Sequence, residues 1–285
     1  AGRAASPGGS RSASSRRSAT KRRRHRVTRI ERCARGRNVQ SDVDRKIVTG
    51  SSRGIGRMCA LYLAEAGCDI VVNYKTDRAS GEKTCEEVRA KGRRALAVAY
   101  HAGSWADAER LAEVAYAEFG TVDILVNNAG MSPLYPSLDA VSEELFDKVI
   151  GVNLKGPFRL STIVGTRMAA GDGGSIINVS SIASRRPSPN EVVYGAAKAA
   201  INNLTMGLAR TFGPHVRVNC IVPGPFLTDI SKAWDLEAFN ARAKSAFALG
   251  RGGLPHEVVG AALYFASDAS SYTTGTTLNI DGLPR

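Results

Sequence analysis

Between residues 47 and 280 the chain alternates short apolar, β-prone runs with stretches of helical period. No other feature constrains its fold as tightly. The runs lie at 47–49, 69–73, 95–99, 122–126, 175–179, 216–221 and 277–280. Helices are expected over 54–66, 79–90, 104–118, 141–169, 193–212 and 255–267, with a looser helical stretch over 228–249 that suits a lid. Most of these runs are mainly apolar, so both faces of the strands must be covered. Strands of that kind separated by helices give an α/β fold, a Rossmann-type doubly wound parallel sheet in a single domain over 43–285. The first strand is short and opens on Arg45-Lys46, so its pairing at the sheet centre is expected to be weakened.

The first strand runs into Thr49-Gly50-Ser51-Ser52-Arg53-Gly54-Ile55-Gly56 and then a helix. Glycines at such a turn allow a tight bend and close backbone approach, and the helix start offers amides to an anion such as a pyrophosphate. The spacing is GxxxGxG, not the commoner GxGxxG of dinucleotide sites.

A second cluster follows the run at 175–179. It ends in Ser180-Ser181, and after a loop with two prolines a helix begins near Val193. Tyr194 and Lys198 stand four apart on one face of that helix, about 6 Å along its axis. An ammonium favours phenolate, so Tyr194 is expected to titrate nearer neutral pH than the ordinary phenol, at roughly 10. Ser181 can donate a hydrogen bond to a carbonyl oxygen that gains negative charge. An ordinary surface pair is the competing reading. Of the eight tyrosines, however, only Tyr194 has a lysine four residues on.

Three more motifs fall beyond strand ends or between them: Asn127-Asn128-Ala129-Gly130, Asn153 midway along the long helix, and Pro223-Gly224. With these in order, the chain resembles the short-chain dehydrogenase/reductase family over about 46–282. The resemblance implies hydride transfer between a nicotinamide cofactor and a ketone or secondary alcohol, with Tyr194 as general acid/base. Lys198 would lower its pKa and hold the nicotinamide ribose. Ser181, rather than Ser180, would orient the carbonyl, and Asn153 would hold a water leading from Lys198 to solvent. Cofactor contacts would come from Gly50, Ser52, Arg53, Gly54, Ile55, Gly56, Tyr74, Lys75, Asn127, Ala129, Gly130, Tyr194, Lys198, Pro223, Gly224 and Thr228.

NAD-specific relatives carry an acid at the end of the second strand. Tyr74 stands there instead, followed by Lys75, and Arg53 adds a second cation for a 2′-phosphate. NADP(H) is therefore the preferred cofactor, with NAD(H) as the alternative. The family's aspartate near the adenine is replaced by His101. The substrate pocket is expected between 132–138, 182–193 and 226–249, with Leu134, Tyr135, Val193, Phe226, Leu227 and Trp234 favouring a partly apolar substrate. Arg185 and Arg186 are candidates for an acidic partner such as acyl carrier protein. The family also implies a homodimer or homotetramer, built on the helices over 141–169 and 194–212.

The net charge of +13 points at first to nucleic acid. Yet residues 1–40 hold 13 of the 39 basic residues against one acid, Glu31, leaving 26 basic and 25 acidic residues beyond. The basicity is an appendage, and residues 1–42 are expected to be a disordered extension. An organelle transit peptide, a polyanion-binding tail and a non-functional extension all fit its composition. A nucleic-acid-binding or redox-sensing protein that uses this tail is the rival function. Five cysteines without a CxxC pair suggest reduced thiols in a cytoplasmic setting. No metal-ligand cluster is apparent, and no apolar run is long enough to span a bilayer.

Overall fold

The computed structural model describes residues 1–2, 44–228, 231 and 235–284. The chain divides into two units, Ala1–Arg37 and Asn38–Arg285. The extension expected to be disordered therefore lies outside the described residues, apart from its first two, as do Cys33 and Trp234. All that follows concerns the second unit.

Seven parallel strands form one sheet in the order β3-β2-β1-β4-β5-β6-β7. They are β1 (Arg45–Val48), β2 (Asp69–Tyr74), β3 (Ala95–Ala99), β4 (Ile124–Asn127), β5 (Gly174–Val179), β6 (Val216–Pro223) and β7 (Thr277–Ile280). The winding reverses between β1 and β4, which is where ligands enter sheets of this type. Ile47 pairs in register with Val71 on one side and Leu125 on the other.

Successive strand residues feed opposite faces. Ile47, Val71, Leu125, Ile176 and Val218 pack with α3 (Trp105–Phe119), α5 (Gly156–Ala170) and α6 (Val192–Phe212). Val48, Ile70, Val72, Val126 and Ile177 pack with α1 (Gly54–Glu65), α2 (Arg78–Ala90) and α8 (Val259–Ala266). Both faces are covered, as strands without polar alternation require. Cys59, Cys68, Cys85 and Cys220 are free and buried. Among the described residues no helix is long and apolar enough to cross a membrane.

The structure corrects the sequence reading in three places. First, β1 is not weakly paired. It is paired on both sides, and its charges have partners: Arg45 Nη1 lies 4.0 Å from Asp123 Oδ2, which also accepts from Arg45 N at 2.6 Å, and the buried Lys46 Nζ donates to Asp44 Oδ2 at 3.2 Å. Second, the helix expected over 141–169 is α4 (Glu143–Ile150), a π-helical turn (Gly151–Lys155) and α5. Pro157 has no amide for the carbonyl of Asn153, and its ring would press on that carbonyl in a regular helix. Widening the turn relieves the conflict. Third, the helical stretch expected to reach 249 ends earlier, with α7 (Leu236–Ala246), while 229–230 and 232–234 lie outside the described residues.

The π turn also lets α5 approach the loop after β3. A Cβ on Gly156 would fall inside the carbonyl of Ala102. Gly156→Ala is therefore expected to destabilise the protein by about 2–3 kcal/mol, the upper range for overpacking. A urea midpoint unchanged from the parent protein would show that α5 moves aside without cost.

Candidate active site

The glycine loop is bound to its neighbours by uncharged side chains. Thr49 Oγ1 donates to Val126 O at 3.2 Å and accepts from Asn128 N at 2.9 Å and Ala129 N at 3.0 Å. Asn128 Nδ2 returns a bond to Thr49 O at 2.9 Å. On the other side Asn73, buried at the end of β2, accepts from Gly50 N at 2.7 Å, and its amide N donates to Ser51 Oγ at 2.9 Å. The glycines are needed for this closeness. Gly50 and Gly54 have φ of +65° and +57°, and a Cβ on Gly56 would stand 2.5 Å from Gly50 O. Arg53, the residue before α1, makes no side-chain cap, so the amides of the first turn face outward.

Asn127 turns its side chain into the protein. Its Nδ2 donates to Ser161 Oγ at 2.8 Å and Asn178 Oδ1 at 2.9 Å, and Asn178 Nδ2 donates to Thr205 Oγ1 at 2.9 Å. This buried ladder ties β4 and β5 to α5 and α6 just beneath the site.

The two serines after β5 separate cleanly. Ser180 Oγ donates to Lys198 O at 2.9 Å and is buried. Ser181 accepts from Ala183 N at 3.2 Å and hydrogen-bonds the hydroxyl of Tyr194. Lys198 Nζ donates to Val179 O at 2.9 Å and lies 5.6 Å from the centre of the Tyr194 ring.

The electrostatics differ from the expectation that Lys198 would pull Tyr194 toward neutral pH. Burial pushes Tyr194 up to about 12; Ser181 opposes the shift and Glu191 adds to it. Burial pulls Lys198 down from 10.5 to about 8, against a smaller opposing effect of Cys220. One of the three ammonium protons of Lys198 goes to Val179 O, and the ammonium is not among the causes that move Tyr194. Desolvation therefore decides both values.

Asn153 sits in the π turn beside them. Its Nδ2 donates to Met131 O at 2.8 Å and Val149 O at 2.9 Å, and its Oδ1 accepts from Met131 N at 3.2 Å. A Cβ on Gly130 would stand 3.0 Å from Asn153 Oδ1 and 3.4 Å from Lys198 Nζ, so Gly130 is the wall between them. Gly224 N donates to Ile280 O at 2.9 Å, fixing the turn after Pro223. Thr228 faces Gly54, with its Cβ 3.8 Å from where a Cβ on Gly54 would be. Glycine loop, Asn127–Gly130 turn, serines, α6 and the turn after β6 thus meet along the carboxyl ends of the strands. Arg53 and Lys75 are exposed at its rim. The ring of Tyr74 lies against α2, where a Cβ on Gly81 would come within 2.7 Å of it. His101 is tied through its amide N to Asp107 Oδ2 at 2.8 Å.

The chain is similar to known proteins. The family described as Enoyl-(Acyl carrier protein) reductase matches residues 50–282. L-rhamnose 1-dehydrogenase (NAD(P)(+)) of Azotobacter vinelandii is 38% identical over 243 residues, 83% of this chain and 94% of that one. The chain belongs to the short-chain dehydrogenase/reductase family. A 3-oxoacyl (acyl-carrier-protein) reductase from Agrobacterium tumefaciens C58 with NADP bound matches with a TM-score of 0.79 at 33% identity, over 84% of this chain and 93% of that one. A 7α-hydroxysteroid dehydrogenase complexed with NADH and 7-oxo glycochenodeoxycholic acid matches with a TM-score of 0.81 at 30% identity, over 86% and 95%.

As a short-chain dehydrogenase/reductase the protein is an oxidoreductase acting on CH–OH groups, in a family that uses NAD(P). Its residues fit such a dinucleotide. Gly50 and Gly56 leave no room for a Cβ, Gly54 has a φ of +57° that favours glycine, and uncapped helix amides stand behind them. Sequence reasoning missed Thr49, Ser51, Asn73 and Asn128 as builders of that cradle. Asn73 could have been found, because an asparagine inside the apolar run at 69–73 must find partners when buried.

The lowered pKa of Lys198 has a consequence for stability. The folded state releases this proton near pH 8 and the unfolded state near 10.5. The cost of burying the ammonium is therefore full below pH 8 and fades as pH rises toward 10.5. Relative to Lys198→Met, the parent protein is expected to gain on the order of 2 kcal/mol between pH 7 and 9.5. Urea unfolding at both pH values measures this, and a gap independent of pH would mean that the ammonium is solvated in the fold.

Proposed function

We propose that the protein is an NADP(H)-dependent reductase or dehydrogenase of a ketone and its secondary alcohol, with Tyr194 as general acid/base. The observation that carries this reading is the joining of Ser181, Tyr194 and Lys198 at the end of β5, beside a glycine loop with no room for a Cβ at Gly50 and Gly56. The cofactor would supply or accept the hydride. Ser181 orients the carbonyl oxygen, and the Tyr194 hydroxyl gives it a proton as the carbon is reduced. A phenol held at about 12 is fully protonated at neutral pH and ready to act as that acid. Lys198, close to its own titration point near 8, can lose and regain a proton at little cost. Asn153 keeps the Gly130–Met131 turn against it.

Tyr194→Phe removes only the hydroxyl. Cofactor binding should persist while turnover falls about 10²–10⁴-fold, the usual worth of a positioned acid. A screen of NADPH oxidation against ketones provides the assay, and full activity in the variant would rule out the assigned role.

The cofactor preference rests on Arg53 and Lys75 at the rim and on Tyr74 where an acid would select NAD. Asp77 works against it: its carboxylate, held below the usual range mainly by Ser80, also feels Arg53. Joint replacement of Arg53 and Lys75 by Ala is expected to weaken NADPH about 10- to 100-fold, the scale of one partly exposed charge-assisted bond. NADH should change little. Equal losses of both in calorimetric titrations would show that no 2′-phosphate is read there.

Leu134 and Leu227, which are not buried, support a partly apolar substrate, whereas Tyr135, Val193 and Phe226 are buried. Arg185 and Arg186 remain exposed, although Arg185 donates to Thr277 Oγ1 at 2.8 Å and Arg186 to Pro284 O at 3.2 Å. An acyl-carrier-bound substrate would use these two. A homodimer or homotetramer would cover Trp105, Phe146, Phe158 and Met206, all exposed on α3 to α6, and light scattering reads its mass. We assign residues 43–285 to the catalytic domain.

A further inference from the structure

The helix that carries Tyr194 lacks a cap of its own. The preceding Ser188 and Glu191 cap the short 3-10 turn (Pro189–Glu191), with Ser188 N donating to Glu191 Oε1 at 3.3 Å. Glu191 is thereby turned backward and gives α6 no side-chain cap. The first amide of α6 is satisfied from elsewhere: Val192 N donates to Tyr135 Oη at 2.7 Å, across 57 residues of sequence. Tyr135 is buried, only 6% exposed, although its neighbours Leu134 and Pro136 lie open to solvent.

The root of that segment is fixed as well. Met131 is held by Asn153 through both its N and its O. Pro133 and Pro136 then restrict the backbone on either side of Leu134-Tyr135. The result is a stiff strap from the π turn, past the place where substrate would enter, to the first turn of α6. Two further contacts fix the helix beyond Tyr194. A Cβ on Gly195 would meet Ala183 O at 2.7 Å, and Ser180 holds the carbonyl of Lys198. Before Tyr194, the Tyr135 hydroxyl is the side chain that holds the helix, two residues from the reacting hydroxyl.

We infer that Tyr135 is a positioning residue: its hydroxyl caps the catalytic helix from the substrate-facing strap and thereby sets where the Tyr194 hydroxyl stands. This rests on the proposed role of Tyr194. The strap makes the register of Tyr194 depend on the segment that substrate touches, so an ill-fitting substrate that displaces Leu134 would also disturb the acid.

Two substitutions in the full chain break the same bond from opposite sides. Tyr135→Phe removes the acceptor and keeps the ring. Val192→Pro removes the donor at the first helical position, where no intrahelical bond is lost, and turns Glu191 before it from ψ 25° toward extended backbone. Hydrogen exchange by mass spectrometry should show faster exchange in peptides covering 192–197, by about threefold to tenfold for one lost bond, and unchanged exchange over 200–212. In ketone reduction kcat should fall by the same factor, with KM and NADPH binding nearly unchanged. The double variant should be no worse than either single one. Unchanged exchange at 192–197 would overturn the inference, as would a rise in KM with kcat intact, which would make Tyr135 a substrate contact. If the parent protein reduces no carbonyl compound, the proposed function fails, while the exchange experiment still decides whether Tyr135 holds the helix.

Discussion

The Thr49 hydroxyl is the point on which the rest of the site depends. It stands where the sheet reverses direction, and one oxygen bonds three backbone groups of the β4 turn. Together with Asn128 Nδ2, which bonds Thr49 O, it fixes the spacing of the glycine loop and the Asn128–Ala129 turn. With it, Gly50 is pressed on Ala129 so closely that a Cβ would stand 3.0 Å from Ala129 Cα. From there the order spreads through backbone-to-side-chain bonds, Gly50 to Asn73 on one side and Met131 to Asn153 on the other, with Gly130 packed close to Asn153 and Lys198. A dinucleotide needs both halves of this crevice at once, so its shape is built before any ligand arrives.

Much of this was legible in the sequence, for a physical reason. Parallel strands buried on both faces are mainly apolar, and that left all seven strands visible within about two residues of their observed ends. Glycines at a strand-to-helix turn and the Tyr194–Lys198 spacing were equally open to reading, since both express backbone geometry. What escaped was tertiary. The π turn at Gly151–Lys155 reads as plain helix, because its cause, Pro157, is also common in the first turn of a new helix. The burial of Lys46 could not be read either. A lysine beside an arginine looks solvated until Asp44 and Asp123 are found around it. The direction of the Tyr194 shift failed for a related reason. Spacing gives the separation of two groups, whereas the balance between attraction and desolvation depends on what surrounds them.

The placement of buried charge separates structure from chemistry. Among the described residues four charged side chains are buried: Lys46, Asp69, Lys198 and Arg217. Three sit at the amino ends of β1, β2 and β6. Each has partners: Lys46 has Asp44, Asp69 has Arg93 and Arg94, and Arg217 donates to Phe265 O and Ser267 O. They lie at the end of the sheet away from the glycine loop and hold strand starts together. A buried charge that is paired and hydrogen-bonded is tolerable, and it costs the function nothing there.

At the carboxyl ends the chain solves the same problem with neutral groups. Thr49, Ser51, Asn73, Asn127, Asn128, Asn153, Asn178, Ser180 and Ser181 carry the polar contacts. An asparagine both donates and accepts, so it can satisfy buried backbone without bringing a fixed charge. That matters where phosphates and a developing oxyanion are to be received, because a carboxylate would repel both. Lys198 is the exception at this end: it is buried, bonded to the carbonyl that ends β5, and has no carboxylate among its recorded hydrogen-bond or ion-pair partners. A salt bridge would have held its proton firmly and raised its pKa. Bonded only to a carbonyl and stripped of water, the ammonium is held loosely enough to titrate near pH 8. The feature that makes this residue unfavourable to bury is therefore the same one that fits it for moving a proton.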